Sequence, residues 1–163
     1  MRRRASALSA VLLLALAAGC GTNDEESQER PTDAEERDAE QVATCEAFYE
    51  GTGTPLAERA EAARVALDSG QVTDAATYTE INALEQRLRE LTRDAHPETV
   101  PVLAEIAAPF TAAVAAVNEA REQEVPEGEE PAFPDLTTID VTEGAAAQET
   151  FAEMCSDAGY EAP

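Results

Sequence analysis

Apolar positions recur at helical spacing along most of the chain, and strand-like alternation is nearly absent. The clearest stretch carries Tyr78, Ile81, Leu84, Leu88 and Leu91, spaced 3, 3, 4 and 3 residues apart, which gives one apolar face. Thr73 or Asp74 is placed to cap this helix. Its other face carries Glu80, Glu85, Arg87, Arg89, Glu90 and Arg93, and Glu85 with Arg89 forms an i,i+4 pair that adds a few tenths of a kcal/mol.

The same reading predicts four more helices. Thr32-Asp33-Ala34-Glu35 has the form of a capping box, so a first helix starts there and runs to about Glu50. Val42, Cys45, Phe48 and Tyr49 share its inner face, and Gly51-Thr52-Gly53 ends it. Thr54-Pro55 opens the second helix as N-cap and first residue; Leu56, Ala60, Ala63 and Leu67 form its stripe, and Gly70 stops it. His96-Pro97 breaks the third helix. The fourth runs from Pro97 or Thr99 to Gln123, lined by Val100, Leu103, Ile106, Ala107, Phe110, Val114 and Val117. Pro109 lies inside it without an N–H to donate, which predicts a kink near Glu105–Pro109. Asp140 or Thr142 caps a fifth helix with Phe151, Met154, Cys155 and Ala158 turned inward.

Residues 124–141, between the fourth and fifth helices, are acidic and rich in proline. That connection is long for a bundle, and Phe133, Leu136, Ile139 and Val141 are expected to tack its second half onto the helices. The connections among the first four helices are short, which favours antiparallel neighbours. The expected fold is all-α: an antiparallel bundle of about four to five helices over residues 32–163. Its core is lean, with many alanines and few aromatics.

The first residues follow a different pattern. Met1-Arg2-Arg3-Arg4 precedes an uncharged apolar run from Ala5 to Ala18. A run of about 14 residues is short of the roughly 20 that a spanning helix needs, so residues 1–19 read as a signal peptide. The run ends in Leu16-Ala17-Ala18-Gly19-Cys20. This resembles the lipobox of bacterial lipoproteins, although Ala17 stands where leucine is commonest. The resemblance covers the first 20 residues. It implies that the Cys20 thiol is joined to diacylglycerol and that a peptidase cuts just before it. Ala15-Leu16-Ala17 also fits an ordinary A-x-A cleavage site. Cysteine parity separates the two, because the chain has only Cys20, Cys45 and Cys155. Ordinary cleavage leaves an odd exposed thiol in an oxidising compartment, whereas lipidation uses Cys20 and leaves one pair. Cys45 and Cys155 both lie on inward faces and are expected to form a disulfide that closes the bundle.

Charge narrows the function. Loss of Arg2, Arg3 and Arg4 with the signal takes the formal charge from −23 to −26. Such acidity argues against nucleic acid and against electrostatic docking to anionic lipid, so the lipid on Cys20 must make the membrane attachment alone. Residues 21–31 have no apolar side chain to bury and read as a disordered acidic tether of roughly 35–40 Å.

Catalytic motifs are missing: there is no G-x-S-x-G, H-E-x-x-H, P-loop, dinucleotide-binding glycine pattern or C-x-x-C. No catalytic residue, metal ligand or cofactor is assigned. The single histidine, His96, reads as a polar turn or cap residue, with a catalytic base as the alternative. Glu127, Glu129 and Glu130 with Asp135 could gather a hard cation, but their spacing matches no EF-hand, and a solvated acidic loop is the plainer reading.

Together, Leu16–Cys20, the acidic tether, Cys45, Cys155 and the stretch from Leu91 through His96-Pro97-Glu98 to Phe110 resemble small helical lipoproteins of actinobacteria. The resemblance implies a helical, disulfide-closed domain and no particular reaction. The expected role is a non-enzymatic binding or protein-interaction module on the extracytoplasmic face of the cell membrane, taking an envelope protein or a small ligand. The loop Val125–Val141 is the expected contact surface. The alternatives are an enzyme or cation-binding protein using His96 and acidic residues, or a passive envelope component.

Overall fold

The computed structural model describes residues 33–123 and 132–161. The expected signal peptide, Cys20, the expected tether, Thr32 and the Glu127–Glu130 cluster lie outside the described residues. Five helices follow in chain order: α1 Asp33–Tyr49, α2 Leu56–Asp68, α3 Ala75–Asp94, α4 Val100–Glu122 and α5 Thr142–Asp157.

Local chemistry explains most of the boundaries. The Asp74 carboxylate accepts from the N–H groups of Ala76 and Thr77 at 3.0 and 2.9 Å, and Thr77 answers to the Asp74 N–H, which completes a capping box for α3. At the end of α2, Gly70 adopts φ +69°. Its N–H donates to Leu67 C=O, and Gln71 N–H donates to Ala66 C=O, so two carbonyls that the helix leaves open are satisfied. The same device ends α5 at Gly159, with φ +88°. There Tyr160 N–H donates to Cys155 C=O at 2.9 Å, which folds Tyr160 back onto the core.

Two expected starts are corrected. Pro55 holds the N-cap position of α2 with extended backbone, and no side chain caps that helix; Thr54 is not the cap. At α5, Val141 holds the N-cap position, while the carboxylate of Asp140, one residue earlier, takes the Thr142 N–H at 2.8 Å. The fourth helix begins at Val100, with Thr99 as N-cap and Pro101 in its first turn, where a missing N–H leaves no bond unmade. It runs unbroken through Pro109 to Glu122.

The long α4 packs chiefly on α3 and α5, and α1 and α2 pack on those two helices in turn. The arrangement is an antiparallel bundle closed by one disulfide. Tyr78 near the start of α3 meets Arg121 near the end of α4, whose guanidinium lies 5.6 Å from the ring centre. Phe48, Phe110 and Phe151 are wholly buried, and Phe48 and Phe151 meet edge to face at 5.1 Å. Each such side chain contributes roughly 1.5–3 kcal/mol by leaving water. Between them, Ala57, Ala60, Ala63, Ala113 and Ala147 are buried and let the helices approach closely. By length and apolar composition α4 could cross a bilayer, but it presents Leu103, Ile106, Phe110 and Val117 to the core and Glu105 and Glu119 to solvent.

Glu85 corrects the reading of α3. The sequence places it on the solvent face, yet it is 3 % exposed. It follows Leu84 and lies one turn after Ile81, so it stands at the edge of the apolar stripe, and the neighbouring helices cover it. Its carboxylate is held by Arg89, whose own side chain is 71 % exposed. The arginine thus reaches inward from the surface, and the pair is not the exposed one that the spacing suggests.

Candidate functional site

His96, the one candidate base, is buried and committed to structure. Its backbone N–H donates to the Thr44 hydroxyl of α1 at 3.1 Å, and its carbonyl accepts from both the N–H and the hydroxyl of Thr99. Its Nδ1 accepts from the Glu98 N–H at 3.4 Å. The residue therefore shapes the turn between α3 and α4 and ties it to α1. A cleft beside it is lined by Glu40, Ala43, Thr44, Ala47, Leu91, Asp94 and Ala95, with no serine or cysteine among them.

Cys45 and Cys155 are joined by a disulfide, with both residues fully buried. The bond belongs to a seam between α1 and α5. One turn before Cys45, the Gln41 side-chain amide donates to Met154 C=O at 2.8 Å. One turn after it, Tyr49 stacks on Tyr160 at 5.9 Å, and the Tyr160 hydroxyl donates to Glu50 at 2.9 Å. Burial and the Glu50 carboxylate push the Tyr160 phenol up to about 12.

In the connection between α4 and α5, Leu136 is buried, and Phe133, Ile139 and Val141 pack against the core. This half of the loop is anchored, and residues 124–131 lie outside the described residues. The Asp135 carboxylate is occupied by the N–H and hydroxyl of Thr137 at 3.0 and 2.7 Å. Among the described residues, no group of three histidine, cysteine or acidic side chains is arranged to hold a metal ion.

A further cleft lies where the sequence gives little warning. With α5 pinned to α1 by the disulfide seam, α2 and α5 form its walls, and Tyr49 of α1 also lines it. Its volume is about 750 Å³, in the size range of small-molecule sites. Val65, Val141, Ala145 and Ala152 supply apolar surface, and Glu61, Asp68 and Glu149 supply carboxylates. Val65 is 57 % exposed, the one large hydrophobic side chain so open among the described residues.

Arg64 sits in this wall and is only 7 % exposed. Its Nη2 donates to Gln148 Oε1 at 2.7 Å, and the same Gln148 amide donates to Ala57 C=O at 3.4 Å, so α2 and α5 are bridged. Its Nη1 is buried without any acceptor, and Arg64 makes no ion pair among the described residues. Burial pulls its guanidinium below the usual arginine range, and the Glu61 charge acts in the opposite sense. A buried cation that lacks a counter-charge is costly, so the arrangement is unusual in a chain with 34 acidic residues.

Sequence reasoning missed Arg64. The signal was present: position 64 lies four residues after Ala60 and three before Leu67, inside the apolar stripe of α2. The cleft carries no histidine, cysteine or serine; its lining mixes apolar, hydrogen-bonding and charged groups, which suits binding.

Comparison with known proteins gives no match for this chain, whether with family models, with curated proteins or with solved structures.

Proposed function

We propose that this chain is a lipoprotein of the extracytoplasmic face of the membrane, anchored through lipid on Cys20, whose helical domain is a non-enzymatic binding module. The observation that carries the reading is the cysteine pairing. Cys45 and Cys155 are bonded to each other, which leaves Cys20, the last residue of the lipobox, as the remaining cysteine. A buried structural disulfide fits an oxidising compartment. The binding role is supported by the α2–α5 cleft, and His96 is taken up by the α3–α4 turn.

Fractionation of cells expressing Cys20→Ser tests the anchor. The variant should leave the membrane fraction or persist as uncut precursor. Normal processing and unchanged membrane association would refute it. Crosslinking in intact cells, followed by mass spectrometry, reads whether the domain also holds a protein partner.

A further inference from the structure

We propose that the cleft between α2 and α5 binds a small zwitterion with an apolar side group, an α-amino-acid-like ligand whose carboxylate pairs with Arg64. This deepens the binding-module reading and rests on it. The first support is the state of Arg64. Its Nη1 is the one buried side-chain polar atom without a hydrogen-bond partner among the described residues, and only one contact, to Gln148, holds the group. Glu61 and Asp68 stand one turn to either side on α2, and Glu149 stands on α5, yet none of them closes to an ion pair with it. The guanidinium therefore has an unpaired hydrogen-bonding edge, and its planar fork matches the two oxygens of a carboxylate. That edge lies below the cleft surface. Engagement needs the side chain to turn its edge outward, a rotation about its own torsions that leaves the backbone in place.

The second support is the surrounding charge. A ligand that is only anionic meets repulsion from Glu61, Asp68 and Glu149 and from a chain of net charge −23. A ligand that also carries an ammonium group satisfies both: the carboxylate goes to Arg64 and the ammonium to the acidic rim. The third support is the apolar surface. Val65, Val141, Ala145 and Ala152 remain for an aliphatic side group, which explains why Val65 stands open on the wall. A cleft of about 750 Å³ admits a molecule of this size with room for water.

The test is calorimetric titration of the full chain in lipid nanodiscs with L-leucine and three analogues. Leucinamide lacks the carboxylate, N-acetyl-leucine lacks the ammonium, and glycine lacks the apolar group. Saturable binding of leucine is expected, and each analogue should bind at least roughly tenfold more weakly. Arg64→Met should weaken leucine roughly 10- to 100-fold, the range for loss of a hydrogen bond to a charged group. This variant should keep or raise its Tm, because an apolar chain replaces a buried, half-paired cation. Should it fail to fold, the analogue series on the unaltered chain decides. Absence of saturable leucine binding, or equal affinity in Arg64→Met, overturns the proposal. Equal binding of N-acetyl-leucine or leucinamide also overturns the zwitterion while leaving the binding-module reading intact. The membrane anchor is read separately, by the fractionation of Cys20→Ser.

Discussion

Gly144, in the first turn of α5, lies against Pro109 of α4: a β-carbon at position 144 would stand 3.1 Å from Cγ and 3.2 Å from Cδ of the proline ring, and 3.4 Å from the Glu105 carbonyl oxygen. That carbonyl is the one that Pro109 leaves without its helical N–H donor. The bare backbone of α5 thus meets α4 at the point where α4 lacks a hydrogen bond. Gly144→Ala should therefore destabilise the domain. Replacing glycine in a helix gains up to about 1 kcal/mol, but crowding a rigid ring costs about 1–3 kcal/mol. A net loss of roughly 1 kcal/mol is expected in urea melts. In a Pro109→Ala background the same change should become neutral or stabilising; an equal loss in both backgrounds would contradict the contact.

The Cys45–Cys155 bond spans 110 residues of sequence. A loop of that size restrains the unfolded chain by roughly 4.7 kcal/mol in the chain-entropy model. Small domains have only about 5–15 kcal/mol in total, so the reduced protein should melt on the order of 10 °C lower. High salt should soften the loss by screening the acidic surface. Because both cysteines are fully buried, thiol trapping under native conditions should follow opening of the domain rather than the reductant concentration. A melting temperature insensitive to reduction would show that the bond contributes little.

All three tyrosines of the chain are held neutral beyond their usual range by burial: Tyr49, Tyr78 and, furthest, Tyr160 at about 12. A phenol with a raised folded pKa contributes stability that is fully present below the unfolded value of 10.0 and lost as pH rises through the folded one. Stability should therefore fall between about pH 10 and 12. Near-ultraviolet titration should show almost no phenolate until unfolding begins, and then a cooperative rise. Tyr160→Phe should make the alkaline loss shallower. One tyrosine titrating normally in the folded protein would contradict this packing.

Acid should act on the turns. Asp74, Asp135 and Asp140 are all held below the usual carboxylate range by hydrogen bonds from Thr77, Thr137 and Thr142 respectively. A depressed folded pKa contributes stability that is present above the unfolded value and lost as pH falls through the folded one. Melting temperature should thus drop as pH falls below about 4. In Asp74→Asn the drop should be shallower, and at neutral pH the amide should still cap α3, since asparagine is a good N-cap. An unchanged acid profile in that variant would remove Asp74 as a contributor.

Much of the helix inventory follows from short-range rules. The capping box at Asp74, the stop at Gly70 and the periodic faces of α3 and α4 each involve residues within one or two turns, so neighbours in sequence carry the signal. The pairing of Cys45 with Cys155 was also readable, because both lie on inward faces of their helices. Glu85 and Arg64 were misread or missed for the opposite reason. A polar residue at the margin of an apolar stripe is exposed on an isolated helix and is buried only when a second helix covers it.

The sequence alone therefore determined that this chain is helical, where most of its helices begin and end to within two or three residues, and which two cysteines join. Those properties depend on backbone geometry and on periodicities of a few residues. The tertiary structure decided that α4 packs on α3 and α5, that Gly144 meets Pro109, and that α2 and α5 part to form a cleft around Arg64. These relations join residues far apart in sequence, and they depend on which helix faces compete best for contact, a choice made only when all five helices pack at once.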